Sequence, residues 1–239
     1  MSRTIAIGDV HGCASEFEAL LSVLKPQPED YIIQVGDLIN RGPDSLDVIH
    51  MAREHKINCI LGNHELRLLN ARDTSCTENL KTYDHKTFNQ LTEADWDYLK
   101  TFSNYLHIPE QDIVFVHAGF LPEPAWHSQP IDVITQIQVI NSKGQAARRS
   151  EAPNAASWVD SWHGSPFVVY GHTVSPKVVQ RSGTIGIDTG CVYGGHLTAY
   201  IVEEKTVVQI PARKAYAFKR GIKKVNYLAF EVRRFNFNT

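Results

Sequence analysis

Five short polar segments, each following or enclosing an apolar run, constrain this chain more than any other feature of its sequence. They are Gly8-Asp9-Val10-His11-Gly12, the stretch from Gly36 to Pro43, Gly62-Asn63-His64-Glu65, His117-Ala118-Gly119 and Gly171-His172-Thr173. The runs that precede them are short and rich in β-branched residues, as is typical of buried strands. Open α/β sheets place their ligand crevices at the carboxyl ends of strands, so we expect these polar side chains to meet there.

The side chains of the five segments have the chemistry of a metal site. Two Asp, Asn63 and four His provide hard oxygen and imidazole ligands suited to two divalent ions. Asp9 and His11 alternate with Val10, so in extended backbone their side chains point to the same side. Asp37 could bridge two metals about 3.5–4 Å apart, the spacing of two-metal hydrolytic sites. Arg41 has a planar guanidinium that matches the oxygens of a phosphate. Each feature alone is equally typical of a turn, a structural histidine or a loop charge; the combination favours a metal site.

The blocks GDVHG, GDLINRGP, GNHE, HAG and GHT, in this order, resemble the signature blocks of the phosphoprotein-phosphatase family of metallophosphoesterases. The resemblance runs from about Gly8 to Thr173. It implies that His64 protonates the leaving group, that Arg41 holds the phosphate, and that hydroxide generated at the metals attacks phosphorus in line. It also implies the metal ligands: Asp9, His11 and Asp37 for one ion, and Asp37, Asn63, His117 and His172 for the other.

The same resemblance implies a fold and a cofactor. The fold is the α/β four-layer αββα metallophosphoesterase sandwich with mixed sheets, which agrees with early βαβ units followed mostly by strands. The cofactor is a pair of divalent metal ions. Manganese is favoured, although mixed Asp, Asn and His ligation also admits iron, zinc or cobalt.

Asn40 departs from the protein phosphatases of this family, which carry Asp at this position in the motif GDxxDRG. That Asp pairs with the catalytic His, whereas an amide orients an imidazole without stabilising its positive charge. A serine alkoxide needs protonation as it leaves, but a phosphate leaving from an anhydride, with a second pKa of about 6, needs much less. We therefore include Asn40 among the catalytic residues and expect cleavage of a phosphoanhydride.

A neutral residue at position 40 followed by Arg-Gly-Pro is similar to the diadenosine-tetraphosphatase branch of the family, the ApaH-like phosphatases. The later stretch GIDTGCVYG, residues 186–194, is also similar to that branch. In that branch we expect a second phosphate-binding Arg between the HAG and GHT blocks, where this chain has Gln138. Arg148 or Arg149 could replace it in binding substrate, although both are equally well explained as solvated loop charges.

The leading hypothesis is therefore a dimetal hydrolase of a phosphoanhydride, in a dinucleoside polyphosphate such as diadenosine tetraphosphate, a related nucleotide or a capped RNA end. The alternative enzyme is a serine/threonine protein phosphatase or another phosphomonoesterase of the same family. A metal-binding interaction protein that has lost catalysis is a third hypothesis. The complete ligand set, together with His64 and Arg41, argues against it.

Composition indicates how the chain is organised and where it acts. With 239 residues, 43% of them hydrophobic, residues 1–210 suffice for a single metallophosphoesterase domain. No apolar run reaches the roughly eighteen residues of a membrane span, and a cleaved secretory signal would remove Asp9. The four cysteines are scattered without a CxxC motif, which fits a reducing cytosol. We expect a cytoplasmic protein with no membrane contact.

Residues 211–239 form a basic, aromatic C-terminal extension. Eight Lys or Arg against one acid give it a net charge of +7, which leaves −9 for residues 1–210. Basic groups interleaved with aromatic rings could contact RNA or a nucleotide. A solvated extension attracted to the acidic domain is the favoured explanation.

Three helices have recognisable start signals. Ser15 with Glu18 predicts a capping box for a helix that continues through Leu24. Asp44 or Ser45 is expected to cap a helix reaching towards His55. Thr92 with Asp95 predicts the start of a helix that continues through about Ser103.

Overall fold

Strands and helices alternate in the first third of the chain, and strands dominate the last third. A computed structural model describes residues 2–218 and 231–236. Within these ranges the helices are α1 (Ala14–Leu24), α2 (Ser45–Glu54), α3 (Asn63–Asp73), α4 (Thr82–Gln90), α5 (Glu93–Leu99) and α6 (Ile131–Gln136). The strands are β1 (Thr4–Ile7), β2 (Tyr31–Gln34), β3 (Asn58–Cys59), β4 (Tyr105–Ile108), β5 (Ile113–Val116), β6 (Val139–Ile140), β7 (Ala146–Ala147), β8 (Ala156–Ser157), β9 (Phe167–Tyr170), β10 (Val179–Arg181), β11 (Thr184–Gly186), β12 (His196–Ile201), β13 (Thr206–Pro211) and β14 (Arg233–Asn236).

Two mixed sheets form the centre of the molecule. The first has the order β14-β13-β12-β1-β2-β3, in which β1, β2 and β3 are parallel and β12 runs antiparallel to β1. The second has the order β10-β11-β9-β5-β4, with β5, β9 and β11 parallel. A small sheet of β7, β6 and β8 lies outside them. Both large sheets therefore combine parallel centres with antiparallel edges.

Three buried clusters define the layers. Ala6, Ile33, Phe115 and Val169 belong to a cluster built from residues of both large sheets. The other face of the first sheet packs against the helical layer through residues such as Ile7 and those of α1 and α2. The other face of the second sheet is covered by a layer that includes Ile134 of α6, Trp158 and Trp162. The predicted four-layer αββα sandwich with mixed sheets is confirmed.

The parallel strands bring the polar segments to one edge. Ile7 of β1 is in register with Gln34 of β2, and Val116 of β5 is in register with Tyr170 of β9. Each of these four strands ends just before one of the polar segments. Asp9, Asp37, His117 and His172 consequently leave their sheets at the same end.

The ends of the helices differ from the sequence prediction in two places. The Ser15–Glu18 capping box is wrong, because α1 begins at Ala14 with Cys13 at the N-cap position. The preceding turn is fixed by backbone bonds from His11 and Gly12 to residues 37 and 38, which moves the start of the helix. The Thr92–Asp95 capping box is confirmed, but α5 ends at Leu99 instead of Ser103. Ser103 exchanges backbone bonds with Cys59 and Leu61 beside β3, so it cannot continue the helix.

Parts of residues 211–239 contact the rest of the chain. The backbone N–H of Arg213 and the hydroxyl of Tyr216 donate to the buried Glu16 of α1, and β14 pairs with β13. The basic Lys219, Arg220, Lys223 and Lys224 and the aromatic Tyr227, Phe230 and Phe237 lie outside the described residues, so the favoured solvated extension and the alternative of RNA contact both stay hypotheses. Among residues 2–218 and 231–236, no helix combines the length and apolarity needed to cross a bilayer.

Candidate active site

Asp37 lies at the centre of the polar edge. Its backbone is in the left-handed region, with φ of 56°, directly after Gly36 with φ of 94°. A Cβ at position 36 would lie 2.6 Å from Nδ1 of His117, so the close approach of strand end and ring requires glycine. Oδ1 of Asp37 accepts the backbone N–H of His64 at 3.0 Å and lies 3.4 Å from Nε2 of His117. Oδ2 lies 3.5 Å from Nε2 of His11.

The predicted ligands converge around this carboxylate. One group of potential metal-binding atoms comes from His11, Asp37 and His64, and a second from Asp37, His117 and His172; within each group the atoms lie within 4.8 Å of one another. Asp37 is common to both groups, the position expected of a bridging ligand. Oδ1 of Asn63 lies 3.3 Å from Nε2 of His117, and the carboxylate of Asp9 accepts the backbone N–H of His172 at 3.0 Å. The individual ligand assignments stay predictions.

Two histidines turn Nε2 towards the site, and in His11 this nitrogen is unprotonated. Nδ1 of His11 donates to the carbonyl of Ile39 at 3.0 Å, and Nδ1 of His117 donates to the carbonyl of Val35 at 2.9 Å. The guanidinium of Arg41, which can only donate, contacts Nε2 of His11 and therefore fixes the lone pair there. A backbone acceptor on one ring nitrogen and a lone pair on the other is the arrangement found in metal-binding imidazoles.

His172 is oriented by Gln138, which contacts its Nε2. The side-chain oxygen of Gln138 accepts the backbone N–H of Arg149 at 3.0 Å. The amide nitrogen of Gln138 must then face His172, whose Nε2 lies 3.4 Å away and accepts from it. Gln138, which stands where the related branch was expected to have an Arg, thus holds a predicted ligand instead of contacting a phosphate through a charge.

His64 has the opposite tautomer. Its Nδ1 lies 3.2 Å from the amide nitrogen of Asn40 and 3.1 Å from a guanidinium nitrogen of Arg67. Because guanidinium has no acceptor, Nδ1 must accept, and a neutral ring then carries its proton on Nε2. That Nε2 is buried and has no hydrogen-bond partner among the described residues. A protonated Nε2 cannot bind a metal, so the geometry favours a proton donor over a ligand at His64.

Asp84 of α4 fixes this arrangement from behind. Its buried carboxylate accepts from the amide nitrogen of Asn40 and from Nε of Arg67, both at 2.8 Å. An ionised carboxylate only accepts, so the amide of Asn40 cannot turn its oxygen towards Asp84, and its nitrogen faces His64 as well. Asp84 and Arg67 were missed in the sequence analysis. Arg67 lies three positions after His64 on one helix and could have been found by that spacing; Asp84 belongs to no motif.

The site has a surplus of buried negative charge. Burial, together with the neighbouring Asp188, raises the pKa of Asp9 well above its ordinary value. Burial opposes protonation of His117, yet Asp37 and Asp9 raise its pKa to about 10. Burial also opposes ionisation of Asp37, but His117 and the other rings hold its pKa well below the usual range. Closely spaced buried carboxylates that attract a proton onto an imidazole fit a site for divalent cations.

Glu65 supports the loop that carries Asp37. It is fully buried, and its carboxylate accepts three backbone N–H groups: those of Asp37 and Gly62 on one oxygen and that of Ile39 on the other. Burial and the charge of Asp37 raise the pKa of Glu65 to about 7. The last residue of the GNHE block thus joins the start of α3 to the loop after β2, a role the sequence analysis did not assign.

Several site residues have a left-handed backbone. The φ angles are 49° at His11, 72° at Asn40, 68° at Arg41 and 61° at His172. The expectation of extended backbone through His11 is therefore wrong; a turn, held by the bond from its N–H to the carbonyl of Asp37, aims the ring at the site. Non-glycine residues adopt this region at a cost, and such positions cluster at functional sites.

A cleft of about 450 Å³ opens over these residues. Its lining includes Asp37, Asn63, His64 and His172, and five cations: Arg41, Arg67, Lys81, Arg148 and Arg149. Arg148 and Arg149 thus lie at the cleft, as expected for candidates that bind substrate, while their contact with a phosphate stays a prediction. Five cations around a cleft that contains Asp37 are suited to bind a ligand with several phosphate groups.

Comparisons with known proteins agree with this geometry. A sequence model of the family described as calcineurin-like phosphoesterase matches residues 2–210. The bis(5'-nucleosyl)-tetraphosphatase PrpE [asymmetrical] of Oceanobacillus iheyensis is 30% identical, with 88% of this chain and 92% of that protein covered. A symmetrical bis(5'-nucleosyl)-tetraphosphatase of Methylobacillus flagellatus is 27% identical, with 93% and 99% covered. A crystal structure of a candidate diadenosine tetraphosphatase superposes with a TM-score of 0.79 at 28% identity, over 88% of this chain and 94% of that one.

Proposed function

This chain belongs to the calcineurin-like phosphoesterase family of metal-dependent hydrolases, and from that premise we propose that it hydrolyses a phosphoanhydride bond of a dinucleoside polyphosphate such as diadenosine tetraphosphate. Two relatives that align with most of this chain are named bis(5'-nucleosyl)-tetraphosphatases, which is the name of this activity. One is named as asymmetrical and the other as symmetrical, so the position of the cleaved bond is a separate question.

The tautomer of His64 is the observation that carries the proposal. Burial and the charges of His11, Arg41 and Arg67 lower the pKa of His64 well below its ordinary value, although Asp37 opposes them. A neutral Nε2–H keeps its proton and can donate only a hydrogen bond, which is enough for a phosphate leaving group with a pKa of about 6 because that group departs as an anion. It is poorly suited to a serine or threonine alkoxide. Asn40, held by Asp84, therefore disfavours the protein-phosphatase alternative.

The remaining residues have complementary roles in this proposal. Asp9, His11, Asp37, Asn63, His117 and His172 would hold two divalent ions. When bound, these ions would polarise phosphate oxygens and lower the pKa of water. Arg41 would clamp the phosphate under attack, with Lys81, Arg148 and Arg149 holding the other phosphates of the chain. Manganese is the favoured metal.

The first experiment compares steady-state hydrolysis of diadenosine tetraphosphate, a phosphothreonine peptide and p-nitrophenyl phosphate with added manganese. We expect kcat/KM for the dinucleotide to exceed the others by about a hundredfold or more, an estimate based on the advantage of a matched leaving group and polyanion site. Chromatography of the products separates AMP with ATP from two ADP. A higher kcat/KM for the phosphopeptide would contradict the proposal.

The variant His64→Ala provides the matched test of the leaving-group argument. It removes the hydrogen-bond donor at the leaving group, so hydrolysis of the phosphothreonine peptide and hydrolysis of the anhydride should respond differently, while p-nitrophenyl phosphate, whose phenolate is also a good leaving group, should respond like the anhydride. Because a phosphoserine or phosphothreonine leaving group depends most on protonation, turnover of the peptide should fall furthest, by about 10²–10⁴-fold. Equal losses on the peptide and the dinucleotide would contradict this reasoning.

A further inference from the structure

A second groove continues from the cleft along one face of α3. Its lining from this helix is Asn63, Leu66, Arg67, Asn70, Ala71 and the following Thr74. These positions are three or four residues apart and so form one stripe. The stripe begins at Asn63 beside the candidate metal site and extends about 16 Å, from the helical rise of 1.5 Å per residue. The groove has a volume of about 300 Å³ and shares Asn63, Arg67 and Arg148 with the cleft.

Charge distinguishes the groove from the cleft. The cleft has five cations on its lining. Among the lining residues that the structure describes, the cations of the groove are Arg67 and Arg148, and both belong to the junction with the cleft. Beyond the junction the groove has the carboxylate of Asp132 on α6 and no described cation. A phosphate chain therefore fits the cleft, and an uncharged group fits the groove.

The surface of the groove combines an apolar floor with amide groups. Leu66, Ala71 and Leu80 provide the apolar part, and Ala71 and Leu80 are largely buried. Asn70 and Asn79 are exposed, and Gln136 accepts from the guanidinium of Arg148 across the groove. Primary amides donate and accept at the edges of purine and pyrimidine rings, and a carboxylate accepts from ribose hydroxyls.

We propose that this groove binds one nucleoside of the substrate, with the base on the apolar floor and the ribose near Asp132. The proposal rests on the proposed function, because a nucleoside attached to the phosphates in the cleft would enter the groove at Arg67 and Arg148. The described lining has no aromatic side chain to stack on a base. The groove should consequently accept several bases with similar affinity, since amides at its open rim adapt to different edges.

Cys76 provides a direct test of occupancy. It lines the groove and is exposed, whereas Cys13, Cys59 and Cys191 are buried. We expect AMP, at a concentration that saturates the site, to slow alkylation of Cys76 by N-ethylmaleimide by about tenfold, since a bound ligand at 90% occupancy leaves about a tenth of the thiol accessible. Inorganic phosphate at equal concentration should not slow it. Equal alkylation rates with and without AMP would overturn the proposal, as would equal protection by phosphate. Cys76→Ser, treated identically, identifies modification of other cysteines.

The kinetic test uses Asn70→Ala combined with Asp132→Ala. Loss of the contacts to base and ribose should raise KM for diadenosine tetraphosphate relative to KM for p-nitrophenyl phosphate by about tenfold, with kcat for the dinucleotide retained. Asp73→Ala, an exposed α3 position outside the groove lining, is the matched control and should leave the ratio unchanged. An unchanged ratio in the double variant would refute the groove proposal. If the wild type hydrolyses p-nitrophenyl phosphate but not the dinucleotide, the proposed function fails, and protection of Cys76 by AMP still decides whether the groove binds a nucleoside.

Discussion

Three histidines of the site direct Nε2 towards Asp37 and differ in the hydrogen-bond partners of Nδ1. His11 and His117 donate from Nδ1 to backbone carbonyls, and His11 presents Nε2 as an acceptor to Arg41. His64 receives two donors at Nδ1 and presents a proton. The chemical role of each imidazole is thus determined by its second hydrogen-bond partner and not by its proximity to Asp37.

Exchanging the charge between positions 40 and 84 tests this network. Asn40→Asp would place a second buried carboxylate 2.8 Å from Asp84, in place of the donor that now bonds it. We expect a loss of unfolding free energy of about 3–5 kcal/mol, typical when a buried charge loses its partner. Adding Asp84→Asn restores a pair of one carboxylate and one amide, with position 84 now donating to position 40. The double variant should therefore recover most of the lost unfolding free energy, as measured by urea unfolding. Additive losses in the double variant would contradict the proposed network.

The double variant also changes which protonation state of His64 is stabilised. An Asp at position 40 can accept from Nδ1–H of His64 and stabilise its positive charge. Hydrolysis of a phosphothreonine peptide should therefore increase relative to that of the dinucleotide, as measured by the ratio of the two kcat/KM values. A ratio equal to that of the wild type would mean that the amide does not determine which leaving group is accepted.

At the scale of secondary structure, the loop after β2 depends on α3 through Glu65. In Glu65→Gln only one oxygen remains, so at least one of the three backbone N–H groups faces an amide nitrogen. We expect a loss of about 1–3 kcal/mol in unfolding free energy, the cost of an unsatisfied buried group. Metal affinity, measured by titration calorimetry, should fall because Asp37 is displaced. Glu54→Gln, exposed at the end of α2, should change neither.

The pairing of β1 with β2 is reinforced at its start by Asp30. Its carboxylate accepts from the backbone and side chain of Arg3 and from the N–H of Gln27. Arg3 is the main cause that lowers the pKa of Asp30 to about 2. In the unfolded chain the pKa of this carboxyl is about 3.9. The stabilisation is therefore present above that pH and is lost as the pH falls towards 2.

Asp30→Asn should consequently be less stable than the wild type at pH 7 and nearly equal to it at pH 2. The measurement is the difference in denaturant midpoint between the two proteins across this pH range. A difference that stays constant from pH 7 to pH 2 would assign the stabilisation to packing instead of charge.

The strands that carry the site were predictable, and several helix ends were not. Runs such as Ile113–Val116 and Phe167–Tyr170 are continuous and apolar, so local sequence fixes them. The start of α1 and the end of α5 depend on backbone bonds to residues remote in sequence, which no local pattern records. Asp84 reaches His64 through the packing of α4 against α3, a relation that also leaves no motif.

At the scale of the whole molecule, the two sheets bring three buried carboxylates, Asp9, Asp37 and Asp188, to one end. Divalent ions bound there would offset their repulsion, so metal should stabilise the entire fold. Removing metal with a chelator should lower the free energy of unfolding by about 4 kcal/mol relative to protein at a metal concentration a thousand times Kd. Calorimetric melting with and without manganese measures this. Asp37→Asn should respond much less, and an equal response would place the stabilising metal elsewhere.

The pairing of β14 with β13 has a consequence for how the protein behaves at high concentration. All six residues of β13 are buried, and its sequence, Thr-Val-Val-Gln-Ile-Pro, is uncharged and rich in β-branched side chains. Without residues 231–239, β13 would become an edge strand of its sheet and would present unpaired N–H and C=O groups to other molecules. We expect light scattering to detect self-association of the truncated protein as its concentration rises, while the dilute protein retains turnover. On this reasoning, β14 protects the protein against aggregation.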